Sequence, residues 1–317
     1  MTPRDVKAQL EGRFSGALEE DRPLAPLTTY RLGGPATLYA EPRDLDDVKL
    51  LAEALSSVDP RPPILVLGRG SNLLVSDLGW PGLVVRLGSR FSYVEHVGDP
   101  HAPEGLRAGA ATPLPYVANW AARRGLAGLE FGVGVPGSVG GAVRMNAGAH
   151  GSDVAAAVTG AQVLDLGTAS FSEKETACLG LSYRRSCLEP EELVLEASFL
   201  LRRERESAVR ERMRCYREHR ARTQPPAVYN AGSTFKNPPG DHAGRLVEAA
   251  GLKGFAVGGA SVSTKHANFF VTAPRARAQD VHDLIMEVRA RVREAFGVAL
   301  EPEVRFAGDF GEGGGQR

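Results

Sequence analysis

Cysteine is scarce: Cys178, Cys187 and Cys215 are the only three in 317 residues, an odd number with no CxxC spacing. That pattern argues against a disulfide framework and a cysteine-based zinc site, no metal is expected, and a reducing compartment fits. Charge excess is missing too, since 38 basic side chains balance 38 acidic ones. Nucleic-acid binders usually carry a basic surplus, so that class loses ground. The arginines of 202–222 interleave with Glu204, Glu206, Glu211 and Glu218, the pattern of a solvated helix face. No apolar run approaches the roughly 20 residues of a membrane span. The opening MTPRDVKAQLEGRF lacks the apolar centre of a signal peptide. The expectation is a cytoplasmic monomer that contacts neither nucleic acid nor membrane.

Several common motifs are also absent. There is no Walker loop GxxxxGK[ST], no GxGxxG followed by an acidic residue on a second strand, and no GxSxG elbow around a nucleophilic serine. No fixed-period repeat appears. Glycine is what the chain does have, 37 of them, clustered in RLGGPA at 31, LGRGSN at 67, GVGVPGSVGGAVRMNAGAHG from 132 and GLKGFAVGGA from 251. Glycine costs backbone entropy, so clusters mark places where the chain turns sharply or approaches a ligand closely.

The length exceeds what one core usually organises, so two or three domains are expected. DLDDVKLLAEAL at 44–55 has helical spacing and an acidic first turn; PPILVLGRGSN reads as a buried strand delivering a glycine loop. GLVVRL at 82, GAQVLDL at 160 and LVLEASFLL at 193 read as further strands, and 114–128, 206–222 and the Val281, Leu284, Ile285, Val288, Val292, Phe296 stripe as helices. Alternating strands and helices place the fold among α/β or α+β layers. The charged stretch 202–207 marks a domain boundary and GDFGEGGGQR a disordered tail.

Two stretches could cradle a diphosphate. Successive amides of Gly68, Arg69, Gly70, Ser71 and Asn72 could form an anion nest, with a plain strand-exit turn as the alternative. Pro136, Gly137, Ser138, Gly140 and Gly141, continued by Asn146 and Gly148, could form a second. Ser233, in YNAGSTFKNPPG, has no adjacent base; it is either a turn serine or an acid that protonates a strongly basic carbon.

TTYRLGGPA, LGRGSNLLVSD, GVGVPGSVGGAVRMNAGAHG, SYRRS, NAGSTFKNP, AGRLVEAAGLKGFAVGGASVSTKHANFFV and LEPEVRF follow one another in order. Together, from about Thr28 to Phe306, they resemble the MurB family of UDP-N-acetylenolpyruvoylglucosamine reductases. The resemblance implies an α+β, vanillyl-alcohol-oxidase-like FAD-binding fold of two α/β subdomains, 1–80 and 81–203, and a third α+β domain, 204–306, that brings the substrate, followed by the tail 307–317. It implies dissociable FAD on the two glycine loops, NADPH as reductant, and UDP-N-acetylglucosamine enolpyruvate as acceptor, reduced to UDP-N-acetylmuramate for peptidoglycan.

By motif match, Arg184 would stabilise the acceptor's carboxylate, Ser233 would protonate its α-carbon, and Glu303, rather than Glu301, would assist. Tyr183, Gln224, Lys236 and Asn237 would bind substrate. Without the family match, Arg184 and Arg185 read as a surface pair and Glu303 as a strand-end acid. The short interval between Arg184 and Ser233 holds no inserted tyrosine loop, which implies the loop-lacking form. Two rivals remain open at this point: an FAD oxidase of a small alcohol or hydroxy acid, which would need a catalytic base, and a non-catalytic nucleotide-sugar-binding protein.

Overall fold

The computed structural model describes residues 2–97 and 104–311. Its helices form where the sequence chemistry places them. Asp44 caps Leu45–Ser56 by accepting the Asp47 amide, 3.3 Å, and Asp46 and Asp47 sit in the first turn, at the positive end of the helix dipole. Val48, Leu51, Ala52 and Leu55 recur at helical spacing and are buried. Ala278–Phe296 buries Val281, Leu284, Ile285, Val288 and Val292 and stops at Gly297, φ 70°. Phe296, expected on that stripe, is 41% exposed because it lies in the final turn beyond Val292. The expected 114–128 helix ends earlier, as Leu114–Ala122, and Leu126–Ala127 becomes a short strand after Gly125 turns at φ 65°.

Two compact units result. The first comprises residues 1–20, 38–69 and 82–220; the second comprises 21–37, 70–81 and 221–317. The serial boundaries 1–80, 81–203 and 204–306 therefore do not describe the contacts. Residues 70–81 group with the C-terminal part because Leu73–Val75 pairs in parallel with Arg305–Ala307. The helix Glu206–Thr223 stays with the first unit through residue 220, because Val209 and Met213 pack against Ala118, Ala122 and Ala127.

The first unit has two cores. One lies under the four-stranded sheet ordered Ala17–Pro23, Pro35–Glu41, Trp80–Val85, Ile64–Val66, and contains Leu38, Leu51, Leu83 and Leu164. The other contains Leu106, Val117, Phe131, Val143 and Phe199 and serves an antiparallel sheet ordered Ser170–Glu175, Val158–Asp165, Glu192–Arg203, Glu104–Gly109, Val94–Val97.

The second unit packs Ala243–Ala249 and Ala278–Phe296 with a small antiparallel sheet, Ala256–Val257, Ala260–Val262, Phe270–Thr272, around Tyr30, Phe235, Phe270 and Leu284. Its C-terminal end is ordered further than expected from a tail starting at 307. Ser76 Oγ donates to the Asp309 carbonyl, and the Phe310 ring stacks on buried His282 at 4.9 Å. The remainder of the expected tail, 312–317, lies outside the described residues.

Candidate functional site

In the first unit the two glycine stretches meet. A side chain at Gly68 would place its Cβ 2.6 Å from Ser138 Oγ, so it would have to displace the hydroxyl that caps Val139–Arg144. Arg69 Nε donates to the Pro136 carbonyl, 3.1 Å, fastening the same pair. Next along the chain, Gly70 adopts φ 59°, a region that disfavours side chains, and within the second unit a Cβ there would collide with the Leu27 carbonyl. The amides of Gly68, Arg69, Gly70, Ser71 and Asn72 donate to no protein acceptor among the described residues.

The second loop is more committed than expected. Gly140 N donates to Ala110 O, 2.9 Å, and Gly141 N to Ser138 Oγ, 3.4 Å, where Ser138 caps Val139–Arg144. Its Gly137 and Ser138 amides keep no such partner. A cavity of about 340 Å³ opens beside the loops, lined by Gly68, Arg69, Ser138, Gly140, Gly141, Arg86, Arg144 and Glu41. Three guanidiniums against one carboxylate favour an anionic ligand. Tyr39 donates to Glu41, and burial, then that carboxylate, push its phenol up to about 12.

The Asn146 side chain and the Gly148 carbonyl are engaged within the fold. Asn146 Nδ2 donates to Asp153 Oδ2 and the Ser182 carbonyl, both 3.0 Å, and its Oδ1 accepts from Ala155 N, 2.9 Å. The Gly148 carbonyl accepts from Arg184 Nη2, 2.9 Å. Arg184 sits at φ 56° in a tight reversal closed by Ser182 N to Arg185 O, 3.0 Å, and Arg185 N to Ser182 O, 3.1 Å. A left-handed arginine persists only where its surroundings over-determine it, a pattern common at functional sites. Its guanidinium lies 5.1 Å from the ring of Tyr183, which is exposed. A surface pair with Arg185 does not describe this geometry.

In the second unit, Ser233 and Glu303 lie on neighbouring chain segments. Glu303 N donates to Thr234 O, 2.8 Å, and Lys236 N to Glu301 O, 2.9 Å. On the other flank Ser233 bridges to Phe269, and Thr234 N donates to Asn268 O, 2.8 Å. The Ser233 hydroxyl is half-buried and has no hydrogen-bond partner among the described residues. Glu301 pairs with Lys236 Nζ at 2.5 Å, which separates the two acids of the EPE stretch. Asn237 Oδ1 caps Ala243 N, 3.1 Å, shaping the loop. The amide oxygen of Gln224 is buried without a partner among the described residues, a cost that a ligand donor would relieve.

Two supporting residues, Asn268 and Tyr30, escaped sequence reasoning, and Asn72 takes a different part from the one expected. Asn268 is buried, accepts from Phe235 N at 2.9 Å and donates to Phe235 O at 2.8 Å. One side-chain amide thereby replaces a ladder partner two residues beyond Ser233. Asn72, expected among the anion donors, gives its Nδ2 to the Glu303 carbonyl, 3.0 Å, and its own carbonyl to Arg305 N, 3.1 Å. Tyr30 of the TTYR motif is buried near Thr234, its phenol pushed up by burial, which the Thr234 hydroxyl opposes. Only a turn-forming HANFF spacing hinted at Asn268.

Residues 36–170, most of them in the first unit, match the family model of an FAD binding domain. Residues 224–307 match the C-terminal domain of UDP-N-acetylenolpyruvoylglucosamine reductase. Proteins named UDP-N-acetylenolpyruvoylglucosamine reductase from Rubrobacter xylanophilus and Paramagnetospirillum magneticum are 44% and 42% identical, over 94% and 96% of this chain and 97% and 95% of theirs. The crystal structure of the reductase from Thermus caldophilus superposes with a TM-score of 0.76 at 36% identity, covering 92% of this chain and 99% of that one. The chain belongs to the UDP-N-acetylenolpyruvoylglucosamine reductase family.

Proposed function

We propose that this protein reduces UDP-N-acetylglucosamine enolpyruvate to UDP-N-acetylmuramate with NADPH, through FAD, for peptidoglycan synthesis. The observation that carries the chemistry is Ser233: its hydroxyl has no hydrogen-bond partner among the described residues, and the carbonyl of its neighbour Thr234 accepts from Glu303 N. The glycine loops fit FAD: at Gly68 a Cβ would run into the Ser138 hydroxyl, amides without a protein acceptor among the described residues remain on both loops, and arginines line the adjoining cavity. When bound, FAD carries a hydride from NADPH to the methylene carbon of the enolpyruvyl ether.

Addition at that carbon shifts an electron pair onto the α-carbon and into the carboxylate. Arg184 stabilises this charge; its permanent charge and planar fork suit a carboxylate better than a lysine would. Ser233 gives its hydroxyl proton to the α-carbon, and Glu303 orients or assists that delivery. Solvent then returns the proton to the serine. Tyr183, Gln224, Lys236 and Asn237 hold the acceptor. Further, we read the protein as a cytoplasmic monomer. Its three cysteines are unpaired thiols, and among the described residues no helix is long and apolar enough to cross a membrane.

The reading is tested by mixing purified, anaerobic protein with NADPH and then with enolpyruvyl-UDP-N-acetylglucosamine while following the visible flavin band. Bleaching followed by prompt return, with muramate product, supports it. A reducible protein indifferent to the acceptor would move the oxidase alternative forward.

A further inference from the structure

The basic residues of the helix Glu206–Thr223 are not alike. Arg210 pairs with Glu206 at 2.7 Å, Arg212 with Glu130 and Glu204, and Arg214 with Glu211 and Glu218. Arg217 and Arg222 are exposed to water. Arg220 differs from both groups: it is half-buried, lies across the backbone of Gly134, and has no acceptor among the described residues. Burial alone perturbs its guanidinium, downward, with no carboxylate offsetting it. A favourable position near the helix C-terminus explains why a cation is tolerated there. It does not explain why this one turns inward without a counter-charge.

Two imidazoles gather at the same place. His150 occupies φ 55° in the turn joining Gly148–Ala149 to Ser152–Asp153, and its ring stacks on Tyr216 with centroids 4.1 Å apart and planes 1° from parallel. His219 meets His150 edge-on at 5.8 Å. Burial first, then the nearness of His219 and Arg220, hold the His150 imidazole below its ordinary value. The turn is fixed to the catalytic arginine, since Gly148 O accepts from Arg184. A guanidinium beside two imidazoles suits an oxyanion, and a guanidinium fork matches phosphate bidentately.

We propose that Arg220, with His150 and His219, forms a docking point for a phosphate group of a nucleotide ligand. The ligand's identity rests on the function proposed above, and two sources share the chemistry: the phosphates of the reductant and the diphosphate of the nucleotide-sugar acceptor.

The test uses FAD-loaded protein and reads binding, not turnover. Dissociation constants for NADPH and NADH come from the concentration dependence of anaerobic bleaching, and that for UDP-N-acetylglucosamine from its perturbation of the flavin spectrum. Arg220→Met is expected to weaken at least one of them by about 10- to 100-fold, the loss of a charged hydrogen-bonded contact, with Arg220→Lys intermediate. A loss confined to NADPH identifies the 2′-phosphate, an equal loss for NADPH and NADH the reductant's diphosphate, and a loss confined to the UDP-sugar the acceptor's diphosphate. His150→Asn should move the same ligand by a smaller factor, which covers the case of an Arg220→Met protein that fails to fold. Affinities within twofold of wild type for all three ligands overturn the proposal. So does loss of FAD from Arg220→Met with normal nucleotide binding after reconstitution. Neither result touches the assignment of the overall reaction.

Discussion

The cradle of the first unit and the serine segment of the second reach precision by opposite routes. Around Gly68 and Ser138 the chain removes side chains, so that backbone amides themselves face outward. Around Ser233 it adds them: Asn268 grips both backbone groups of Phe235, and Asn72 grips the Glu303 carbonyl. A diphosphate is recognised by many weakly directional donors, and those can come from bare backbone. A single proton delivered to one carbon needs one hydroxyl in one place, and the backbone carrying it must be held.

The sharpest way to break the comparison is Ser233→Ala. Turnover should fall by about 10²- to 10⁴-fold, the usual worth of a positioned acid, while NADPH still bleaches the flavin within about twofold of the wild-type rate. Equal damage to both would mean the serine serves binding. Gly68→Ala comes next and attacks the other route: its Cβ would stand 2.6 Å from Ser138 Oγ, and bound FAD, read from the visible absorbance per polypeptide, should drop about tenfold or more. Adding Ser138→Ala should restore part of it, because the clashing oxygen is gone.

Asn268→Ala is smaller. It strands two buried backbone groups of Phe235, so a loss of about 1–3 kcal/mol in denaturant unfolding is expected. If the clamp positions Ser233, kcat should fall severalfold with KM nearly unchanged; Asn268→Asp, which keeps the acceptor, should be the milder variant in both readouts.

Acid is the gentlest probe. His266 Nδ1 accepts from Asn268 N at 3.2 Å, and burial first, with Lys253 second, lowers its pKa from 6.5. With the folded value below the unfolded one, the unfolded chain binds more protons between them. The stability this histidine provides is full above about 6.5 and is lost as pH falls through the folded value. The melting temperature should drop by about 1–3 °C between pH 7.5 and 5.5, less so in His266→Gln.

How much of this was legible in the sequence depended on range. Helices with an apolar stripe, such as Leu45–Ser56 and Ala278–Phe296, were readable because their signal is local. The unit boundaries were not, since residues 70–81 are claimed by a strand pairing with Arg305–Ala307 more than 220 positions away. Gly68 and Ser138 read as parts of separate cradles, and spacing carries no sign of their mutual approach. Asn146, in a glycine run, resembles a ligand donor, whereas in the fold Asp153, Ala155 and Ser182 engage its amide. Arg184 carried no local mark of its left-handed backbone.

The central claim is that Ser233 supplies the proton and nothing earlier. The most direct measurement is a single-turnover experiment: Ser233→Ala protein, reduced with one equivalent of NADPH under anaerobic conditions, is mixed with enolpyruvyl-UDP-N-acetylglucosamine and the flavin band is followed beside wild type. The account predicts normal bleaching by NADPH and a return slowed by at least a hundredfold. A return at the wild-type rate, with UDP-N-acetylmuramate formed, would contradict it.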